Sequence, residues 1–244
     1  MKKIFAGCMV LVLAFANIAS AQEFTPEQEA RIMELALEAI LANPEILPEA
    51  IDILQRRQEE LQSQSLSQVL SSRRDILDHD PNAPVIGNPD GDVTIVEFFD
   101  YNCPYCKQAA PILKALMDGD NGIRLVYREW PILGEGSVFA ARAALASREQ
   151  GKYAEFHQVL MDLPRVTETT TLSAAESIGL DIEKLVRDMD APEIDAHIAL
   201  SMQLTQELGF QGTPSFVIGN AVAPGLIPLD QLKVLVAQSR ASGN

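Results

Sequence analysis

The chain has 244 residues, of which 47% are hydrophobic and 22% charged, and its formal net charge is −15. This length allows one large or two small domains with a substantial hydrophobic core. The acidic balance argues against a nucleic-acid partner and against binding to an anionic membrane surface.

Residues 1–21 have the pattern of a secretory signal peptide. Two lysines are followed by an almost wholly apolar stretch, residues 4–18, and by an Ala-Ser-Ala cleavage site at residues 19–21. The apolar stretch is too short to predict a membrane anchor. Cys8 would be removed with the signal, which leaves two cysteines in the mature chain. We therefore expect export, in the style of a bacterial periplasmic protein, and one cysteine pair that is free for chemistry.

Residues 22–80 are predicted to form a helical region that ends in a linker. The first helix begins at the capping sequence Thr25-Pro26-Glu27-Gln28 and ends before Asn43-Pro44. In a second helix, apolar residues recur at spacings of four, three and seven, namely Leu47, Ile51, Leu54 and Leu61. These helices either pack onto their own domain or pair with other copies of the chain in a coiled-coil-like seam. Residues 78–92 are rich in Pro, Gly, Asn and Asp, which predicts a linker.

The next stretch places two cysteines between a strand and a helix. Val93–Phe99 is rich in β-branched and aromatic residues, which predicts a buried strand. Residues 107–117 are good helix formers with apolar spacing. The sequence Cys103-Pro104-Tyr105-Cys106 therefore falls at the start of a helix, where a proline in the first turn is tolerated.

This placement of the cysteines predicts thiol–disulfide chemistry. A helix N-terminus favours a thiolate, because its free backbone N–H groups and positive dipole end stabilise negative charge. We predict that Cys103 is the exposed nucleophile and that Cys106, one turn further on, is the resolving thiol. The alternative is a structural zinc site, for which Cys-x-x-Cys supplies half of the ligands. The sequence has no second Cys-x-x-Cys and its three histidines are scattered, which favours redox chemistry.

After the cysteine helix the sequence predicts a second strand and a helical region. Residues 123–127 are apolar and β-branched. A strand, a helix and a second strand in this order predict a parallel pair within an α/β domain. Residues 135–209 are predicted to be mainly helical, with one helix capped by Ser137 and another by Asp181.

The C-terminal part is predicted to be a hairpin and a final helix. Gly212-Thr213-Pro214 leads into an apolar strand, which is an unusual place for a proline because it cannot donate to a strand ladder. Gly219-Asn220 indicates the turn of a hairpin. Residues 229–238 have the apolar spacing of an amphipathic helix.

The order of these elements, together with two motifs, resembles the DsbA family of thioredoxin-fold thiol–disulfide oxidoreductases. The motifs are EFFDYNCPYC at residues 97–106 and GTP at residues 212–214. The resemblance covers residues 84–244 and implies an α/β thioredoxin fold with a helical insertion at about residues 135–209, preceded by the N-terminal helical region. It also implies that Thr213-Pro214 is a cis peptide facing the cysteines, and that Thr213, Pro214, Pro104 and Tyr105 contact the substrate. No organic cofactor is implied, since the Cys103–Cys106 disulfide is itself the redox-active group.

Glu97 lies inside the apolar strand, where a buried carboxyl group is costly without a partner. In the family that the chain resembles, the matching acid lies below the cysteines and helps to move the proton of the resolving thiol. Strand alternation could instead turn Glu97 to solvent. The apolar residues on both sides predict a strand that is covered on both faces, which favours a buried Glu97 that acts with Cys103 and Cys106.

The N-terminal region is similar to that of ScsC-type proteins, which belong to a suppressor-of-copper-sensitivity system, in its TPEQ and NPEIL sequences. Relatives with this region can trimerise, and the assembled form shuffles disulfides. The similarity implies a homo-oligomer, such as a trimer, formed through residues 22–75. It also raises the alternative of a copper-binding envelope protein that holds Cu(I) between the Cys103 and Cys106 thiolates, with no other metal site expected.

Tyr105 replaces the histidine of the strongly oxidising DsbA proteins. A histidine cation stabilises the thiolate and therefore the reduced form, whereas tyrosine offers no charge, so we expect a milder oxidant. A CPYC sequence with Thr before the cis-proline is also found in DsbC- and DsbG-like isomerases. We expect a periplasmic oxidoreductase that acts on exported proteins and exchanges electrons with a membrane redox partner. Isomerase or reductase is the leading activity and dithiol oxidase the alternative.

Overall fold

The computed structural model of the protein describes residues 24–243. The predicted signal peptide, residues 1–21, lies outside the described residues. The chain divides into two compact units, Met1–Glu59 and Glu60–Asn244. Among residues 24–243, no helix is long and apolar enough to cross a membrane.

The first unit contains α1, Pro26–Ala42, and the beginning of α2, Ile46–His79. The predicted capping box is confirmed, because the Thr25 hydroxyl accepts from the Gln28 N–H and the Gln28 side chain accepts from the Thr25 N–H. Asn43 ends α1, and its side-chain amide donates to a carbonyl of the last turn. Every residue from 24 to 59 is exposed, so α1 and the beginning of α2 bury no hydrophobic core within one chain.

A five-stranded sheet forms the centre of the second unit. Its strands are β1, Val85–Gly87; β2, Val93–Phe99; β3, Ile123–Glu129; β4, Ser215–Ile218; and β5, Ala221–Pro224. They lie in the order β1-β3-β2-β4-β5. The predicted parallel pair is confirmed, since α3, Pro104–Gly119, carries the chain back so that β3 runs parallel to β2. β4 runs antiparallel to β2, so the start of β4 lies at the edge of the sheet where β2 ends.

The residues predicted to be a linker are part of the folded unit. β1 lies within residues 78–92 and pairs antiparallel with β3, with Val85 opposite Val126. Leu70 and Leu77 of α2 are buried, so the compact unit begins at Glu60 and not near residue 84. The prediction was wrong because the glycine, proline and asparagine residues form turns around a strand of only three residues, and so short a strand has no periodicity to detect.

A helical segment connects β3 to β4, as the sequence predicts. It comprises α4, Glu135–Ala146; a 3-10 turn, Ser147–Gln150; α5, Tyr153–Asp162; α6, Glu168–Ser177; α7, Ile182–Asp188; and α8, Pro192–Glu207. A last helix, α9, spans Leu229–Ser242. Asp181 caps α7 as expected. Ser137 does not cap α4, which begins two residues earlier at Glu135.

Two hydrophobic layers cover the two faces of the sheet. The first contains α3, α9 and most of the helical segment, and packs on the face that carries Ile95, Phe99, Tyr127 and Phe216. The second contains Leu70, Leu77, Leu204 and Leu208, and packs on the face that carries Val96, Phe98, Val126 and Val217. Burial on both faces explains why β2 is a continuous apolar run and not an alternating one.

A buried ion pair joins the segment after α2 to the sheet. Arg128 on β3 donates to Asp80 over 2.6 Å and to the carbonyl of Ile76 over 2.5 Å. Its side chain is fully buried, and that of Asp80 is 6% exposed. A buried charge that loses its partner is strongly destabilising, because the desolvation cost is no longer offset.

We predict that Asp80→Ala lowers the free energy of unfolding by about 3–5 kcal/mol, since it leaves the buried Arg128 charge unpaired. Urea denaturation followed by circular dichroism measures this change. Asp75→Ala is the matched control: the Asp75 side chain is almost fully exposed and faces only His79, at 3.7 Å, so its effect should stay within about 0.5 kcal/mol. Equal effects of the two substitutions would contradict the structural role of Asp80.

Candidate active site

The two cysteines lie at the start of α3, as the sequence predicts. Cys103 is the N-cap residue, in an extended conformation, and Pro104 is the first helical residue. The carbonyl of Cys103 accepts from the Lys107 N–H over 3.1 Å. Neither Pro104 nor the extended N-cap disrupts the helix, because the first-turn N–H groups have no partners inside the helix. Those N–H groups are therefore available to the Cys103 sulfur.

The Thr213-Pro214 segment lies in the loop before β4 and faces Cys103. The peptide bond between Thr213 and Pro214 is cis, as predicted. The Cys103 Sγ lies 3.2 Å from the Thr213 carbonyl oxygen. The sheet explains the contact, because Phe98 near the end of β2 pairs with Ser215 at the start of β4, which brings the two adjoining loops together.

Both thiols are less accessible than expected. Cys103 is 4% exposed and Cys106 is fully buried, and both are free thiols. The prediction of an exposed nucleophile was therefore wrong, since the Thr213 carbonyl lies against the Cys103 sulfur. Cys103 is the more accessible of the two, and its role as nucleophile with Cys106 as the resolving thiol stays a prediction. Tyr105, at 58% exposed, is the residue of the motif that projects into solvent.

The surroundings of the two thiols separate their acidities. Hydrogen bonding lowers the pKa of Cys103 from an ordinary 9.0 to about 5, with the largest effect from the Cys106 thiol, although burial opposes it. The Thr213 side chain and the backbone N–H groups of Cys106 and Tyr105 add smaller effects in the same direction. Burial, followed by the hydrogen bond to Cys103, raises the pKa of Cys106 far above its ordinary value. At neutral pH the pair therefore holds a thiolate at Cys103 and a protonated thiol at Cys106.

Glu97 is buried, as predicted. It is 1% exposed, and its Oε1 atom has no hydrogen-bond partner among the described residues. Its cross-strand neighbours are Tyr127 and Phe216. Burial, and then the charge of Cys103, raises the pKa of Glu97 from 4.5 to about 8. The carboxyl group is therefore mainly protonated at neutral pH and can exchange a proton with its surroundings in a mildly alkaline range.

A cluster of buried tyrosines and a histidine next to the site was not predicted. The Tyr101 hydroxyl lies 3.0 Å from the His157 Nδ1, and His157 also packs against Tyr127 and Tyr153. Burial, with a smaller effect from Lys107, lowers the pKa of His157 from 6.5 to about 3, so this imidazole is neutral. The sequence gives little sign of the cluster, because residues 101 and 157 are far apart in the chain and only the fold brings them together.

A second unpredicted group holds the loop before Cys103. Asp100 is buried, and its carboxylate accepts from the Ser137 hydroxyl over 2.7 Å. Asn102 bonds to Val166 through both its side-chain oxygen and its side-chain nitrogen. The sequence Asp-x-Asn after a strand is a turn signal, so the turn itself could have been predicted, but its partners in the helical segment could not.

Cys103 and Cys106 are the thiol ligands available to a metal among residues 24–243. Within residues 24–243 there is no group of three or more His, Cys, Asp or Glu side chains that could hold a metal ion. The zinc alternative, which needs two further ligands, thus has no support from the described residues. A Cu(I) ion held by the two thiolates alone stays a prediction from the sequence.

The fold and the site together define a class of protein. A dithiol at the start of the helix that follows β2, opposed by a cis-proline loop before β4, on a sheet interrupted by a helical segment, is the arrangement of thioredoxin-fold thiol–disulfide oxidoreductases. Residues 94–237 match the DSBA-like thioredoxin domain family, and the chain belongs to that family. Residues 28–60 match the copper resistance protein ScsC N-terminal domain. Both resemblances seen in the sequence are therefore confirmed.

Solved structures give the same result. A thioredoxin-like oxidoreductase from Silicibacter pomeroyi DSS-3 is 60% identical, with a TM-score of 0.68, and the match covers 69% of this chain and 98% of that one. A linker-deletion mutant of Proteus mirabilis ScsC is 27% identical, with a TM-score of 0.69, and the match covers 91% of this chain and 100% of that one. The second match includes most of the N-terminal helical region.

The matches to curated relatives cover only part of this chain and only part of each relative. Disulfide bond formation protein D of Bacillus subtilis is 26% identical over 166 residues, which is 62% of this chain and 73% of the relative. The chain also matches sodium/proton antiporters named NhaA, such as NhaA 3 of Salinispora tropica, at 28% identity over 167 residues. It spans only about a quarter of the length of these antiporters, 26% in that case.

We predict that Glu97→Gln changes how the stability of the reduced protein depends on pH. The folded wild type keeps the Glu97 proton up to a pKa of about 8, whereas the unfolded chain releases it near 4.5. The folded state therefore binds more protons between these values, and the wild type loses stability relative to the variant as pH rises through this window. Below it, the two curves should run parallel.

Urea denaturation with a reductant present, at about pH 4, 6 and 8, measures this difference. Glu155→Gln, at an exposed carboxyl group on α5, is the control that should follow the wild-type curve. If Glu97→Gln and the wild type differed by a constant amount at all three pH values, Glu97 would not carry a raised pKa.

Proposed function

We propose that this protein is a periplasmic thiol–disulfide oxidoreductase that acts on disulfides of exported proteins, with isomerase or reductase as its main activity. The observation that carries the proposal is the asymmetry of the thiol pair. A low pKa at Cys103 supplies a thiolate at neutral pH, and a raised pKa at Cys106 keeps the second thiol protonated until it is needed. Membership of the DSBA-like thioredoxin domain family supports this reading.

The reaction uses only the chain's own sulfur atoms and a client disulfide. The Cys103 thiolate attacks one sulfur of the client disulfide, forms a mixed disulfide and releases the other client sulfur as a thiolate. In reduction, Cys106 loses its proton and attacks the Cys103 sulfur, so that the client leaves reduced and the protein carries the Cys103–Cys106 disulfide. In isomerisation, a client thiolate attacks the mixed disulfide instead, so that Cys103 leaves reduced and no net electron transfer occurs.

Two other groups support these steps. Glu97 is buried, interacts electrostatically with both thiols and has a pKa of about 8, so its carboxylate form can accept the Cys106 proton when Cys106 attacks. Thr213, beside the Cys103 sulfur, offers backbone to an extended client segment, and the cis-Pro214 that follows it completes this contact loop. The exposed Tyr105 ring, and Pro104 beside it, form the rest of the contact surface. The disulfide is the redox group, and no organic cofactor takes part.

Isomerase or reductase is favoured over dithiol oxidase because Tyr105 brings no positive charge to the pair. A cation at this position would stabilise the thiolate further and make the disulfide more oxidising. A milder pair is a weaker oxidant of client thiols and a better reductant, and an isomerase in addition needs a reducing membrane partner that keeps Cys103 reduced. The oxidase is the alternative outcome of the experiment below.

The N-terminal helices support a homo-oligomer. Large apolar side chains on α1 and the first half of α2 are exposed in the single chain: Ile32, Met33, Leu35, Leu37, Ile40, Leu41, Ile46, Leu47, Ile51, Ile53, Leu54 and Leu61. Such a surface is typical of an interaction site. Self-association through it would hold several thiol pairs around one client and raise their effective concentration. Because Leu70 and Leu77 belong to the core of the second unit, we place the end of the associating region near Leu61 and not at residue 75.

We predict that the protein reactivates ribonuclease with scrambled disulfides, and that Leu54→Glu both disrupts the oligomer and slows reactivation by roughly tenfold or more through loss of multivalency. Light scattering gives the oligomeric state and ribonuclease activity gives the rate. Cys103→Ser should abolish reactivation.

Ser63→Glu is the matched control for Leu54→Glu. Ser63 is an exposed residue of the same helix, α2. It lies nine residues after Leu54, which at about 3.6 residues per turn places it on the opposite side of the helix. The substitution therefore adds the same charge away from Leu54 and should change neither readout.

Rapid oxidation of a reduced client with no reactivation would identify a dithiol oxidase instead. Full activity of Cys103→Ser would contradict the thiol mechanism altogether. Reactivation that is unchanged in a dissociated Leu54→Glu protein would show that one thiol pair suffices.

A further inference from the structure

The Asp100 carboxylate is a buried hub between the cysteine loop and the helical segment. Oδ1 accepts from the Asn102 N–H and from the Ser137 hydroxyl, each over 2.7 Å. Oδ2 accepts from the N–H groups of Ile132 and Leu133 over 2.8 and 2.9 Å. Asp100 is only 1% exposed. A buried carboxylate is tolerated where several charge-assisted hydrogen bonds replace water, as these four do.

Asn102, immediately before Cys103, makes a second connection to the same segment. Its Oδ1 accepts from the Val166 N–H over 2.9 Å, and its Nδ2 donates to the Val166 carbonyl and to the Ser137 hydroxyl, each over 3.1 Å. The carbonyl of Val166 also lies so close to Gly136 that a Cβ there would be 2.5 Å from it. The segments around Gly136 and Val166, which are distant in sequence, thus both pack tightly against the loop that precedes Cys103.

These contacts reach the nucleophile through the backbone. The carbonyl of Asp100 accepts from the Cys103 N–H over 3.1 Å. The loop of residues 100–103 is therefore held by the side chains of Asp100 and Asn102 and by the main-chain hydrogen bond between residues 100 and 103. The position of Cys103 over the first turn of α3, and its 3.2 Å approach to the Thr213 carbonyl, depend on the path of this loop.

We propose that Asp100 and Asn102 are positioning residues, through which the seating of the helical segment on the cysteine loop sets the reactivity of Cys103. The inference rests on the proposed function, since it concerns the same thiol. The side-chain hydrogen bonds of both residues go to the loop and to the helical segment and not to a sulfur atom, so neither is a catalytic residue. They act by fixing where the Cys103 sulfur lies relative to the N–H groups of α3 and to Thr213. A displacement of a few tenths of an ångström weakens a hydrogen bond, so a loosened loop loses thiolate stabilisation.

The test compares Asp100→Asn and Asn102→Ala in the full-length mature protein. An asparagine at residue 100 keeps the shape of the side chain but replaces one accepting oxygen with a donating nitrogen. An alanine at residue 102 removes the bonds to Val166. The readout is the pH dependence of Cys103 alkylation by iodoacetamide, located by mass spectrometry. We expect Asn102→Ala, which removes no charge, to move the midpoint upward by about one pH unit, which is the size of an ordinary environmental shift. In Asp100→Asn the loss of a nearby negative charge acts in the opposite direction, so its upward shift should be smaller.

Asp181→Ala is the matched control. Asp181 is also a carboxylate that accepts a backbone N–H, from Lys184 over 2.9 Å, but it caps α7 and lies outside the cysteine loop. Its alkylation midpoint should equal that of the wild type even where urea denaturation shows an equal loss of stability. If Asp100→Asn does not fold, Ser137→Ala, which removes one donor from the hub, should shift the midpoint in the same direction by a smaller amount.

The inference is wrong if the midpoints of Asp100→Asn and Asn102→Ala match that of the wild type. It is also wrong if Asp181→Ala shifts the midpoint equally, because the effect would then follow general stability. A wild-type midpoint near the ordinary thiol value would instead refute the basis of the proposed function and leave nothing for these residues to set. These results separate a failure of the inference from a failure of the proposed function.

Discussion

The hydrogen bonds that converge on the Cys103 sulfur are the interaction on which the rest of the structure depends. They come from the Cys106 thiol, from the Thr213 side chain and from the first turn of α3. These groups come from different parts of the fold. The chain leaves β2 and places Cys103 at the start of a helix, and the antiparallel strand β4 places Thr213 at the same edge of the sheet. The fold can be understood as the means by which one sulfur becomes acidic while its partner, three residues on, does not.

The same arrangement has an energetic cost. Glu97 is buried with one carboxyl oxygen unpartnered among the described residues, and Cys106 is buried where a thiolate would be strongly disfavoured. Such groups reduce stability and are expected where function requires them. The two hydrophobic layers on the sheet offset the cost, since β2 is covered on both faces by large apolar side chains. Burial in that layer raises the proton affinity of the Glu97 carboxylate towards that of a thiolate, as the proposed proton transfer from Cys106 requires.

Sequence reasoning succeeded where one segment carried its own signal. β2 has the predicted bounds, the helix begins at Pro104, and the Thr25 capping box is present. It failed where the outcome depended on packing between distant segments. β1 was assigned to a linker because three residues carry no period, and the second half of α2 belongs to the compact unit because Leu70 and Leu77 meet the sheet. The burial of Cys103 and the Asp100 hub likewise follow from where Thr213 and Ser137 lie in space, which no local pattern encodes.

In the proposed mechanism, Cys103 attacks the client and Cys106 resolves the mixed disulfide. The most direct measurement is mass spectrometry of complexes trapped with scrambled ribonuclease in the Cys106→Ser and Cys103→Ser variants. We expect Cys106→Ser to accumulate a mixed disulfide through Cys103, since the resolving thiol is missing, and Cys103→Ser to accumulate none, since Cys106 is fully buried. A mixed disulfide through Cys106 in the Cys103→Ser variant, with none in Cys106→Ser, would contradict this mechanism.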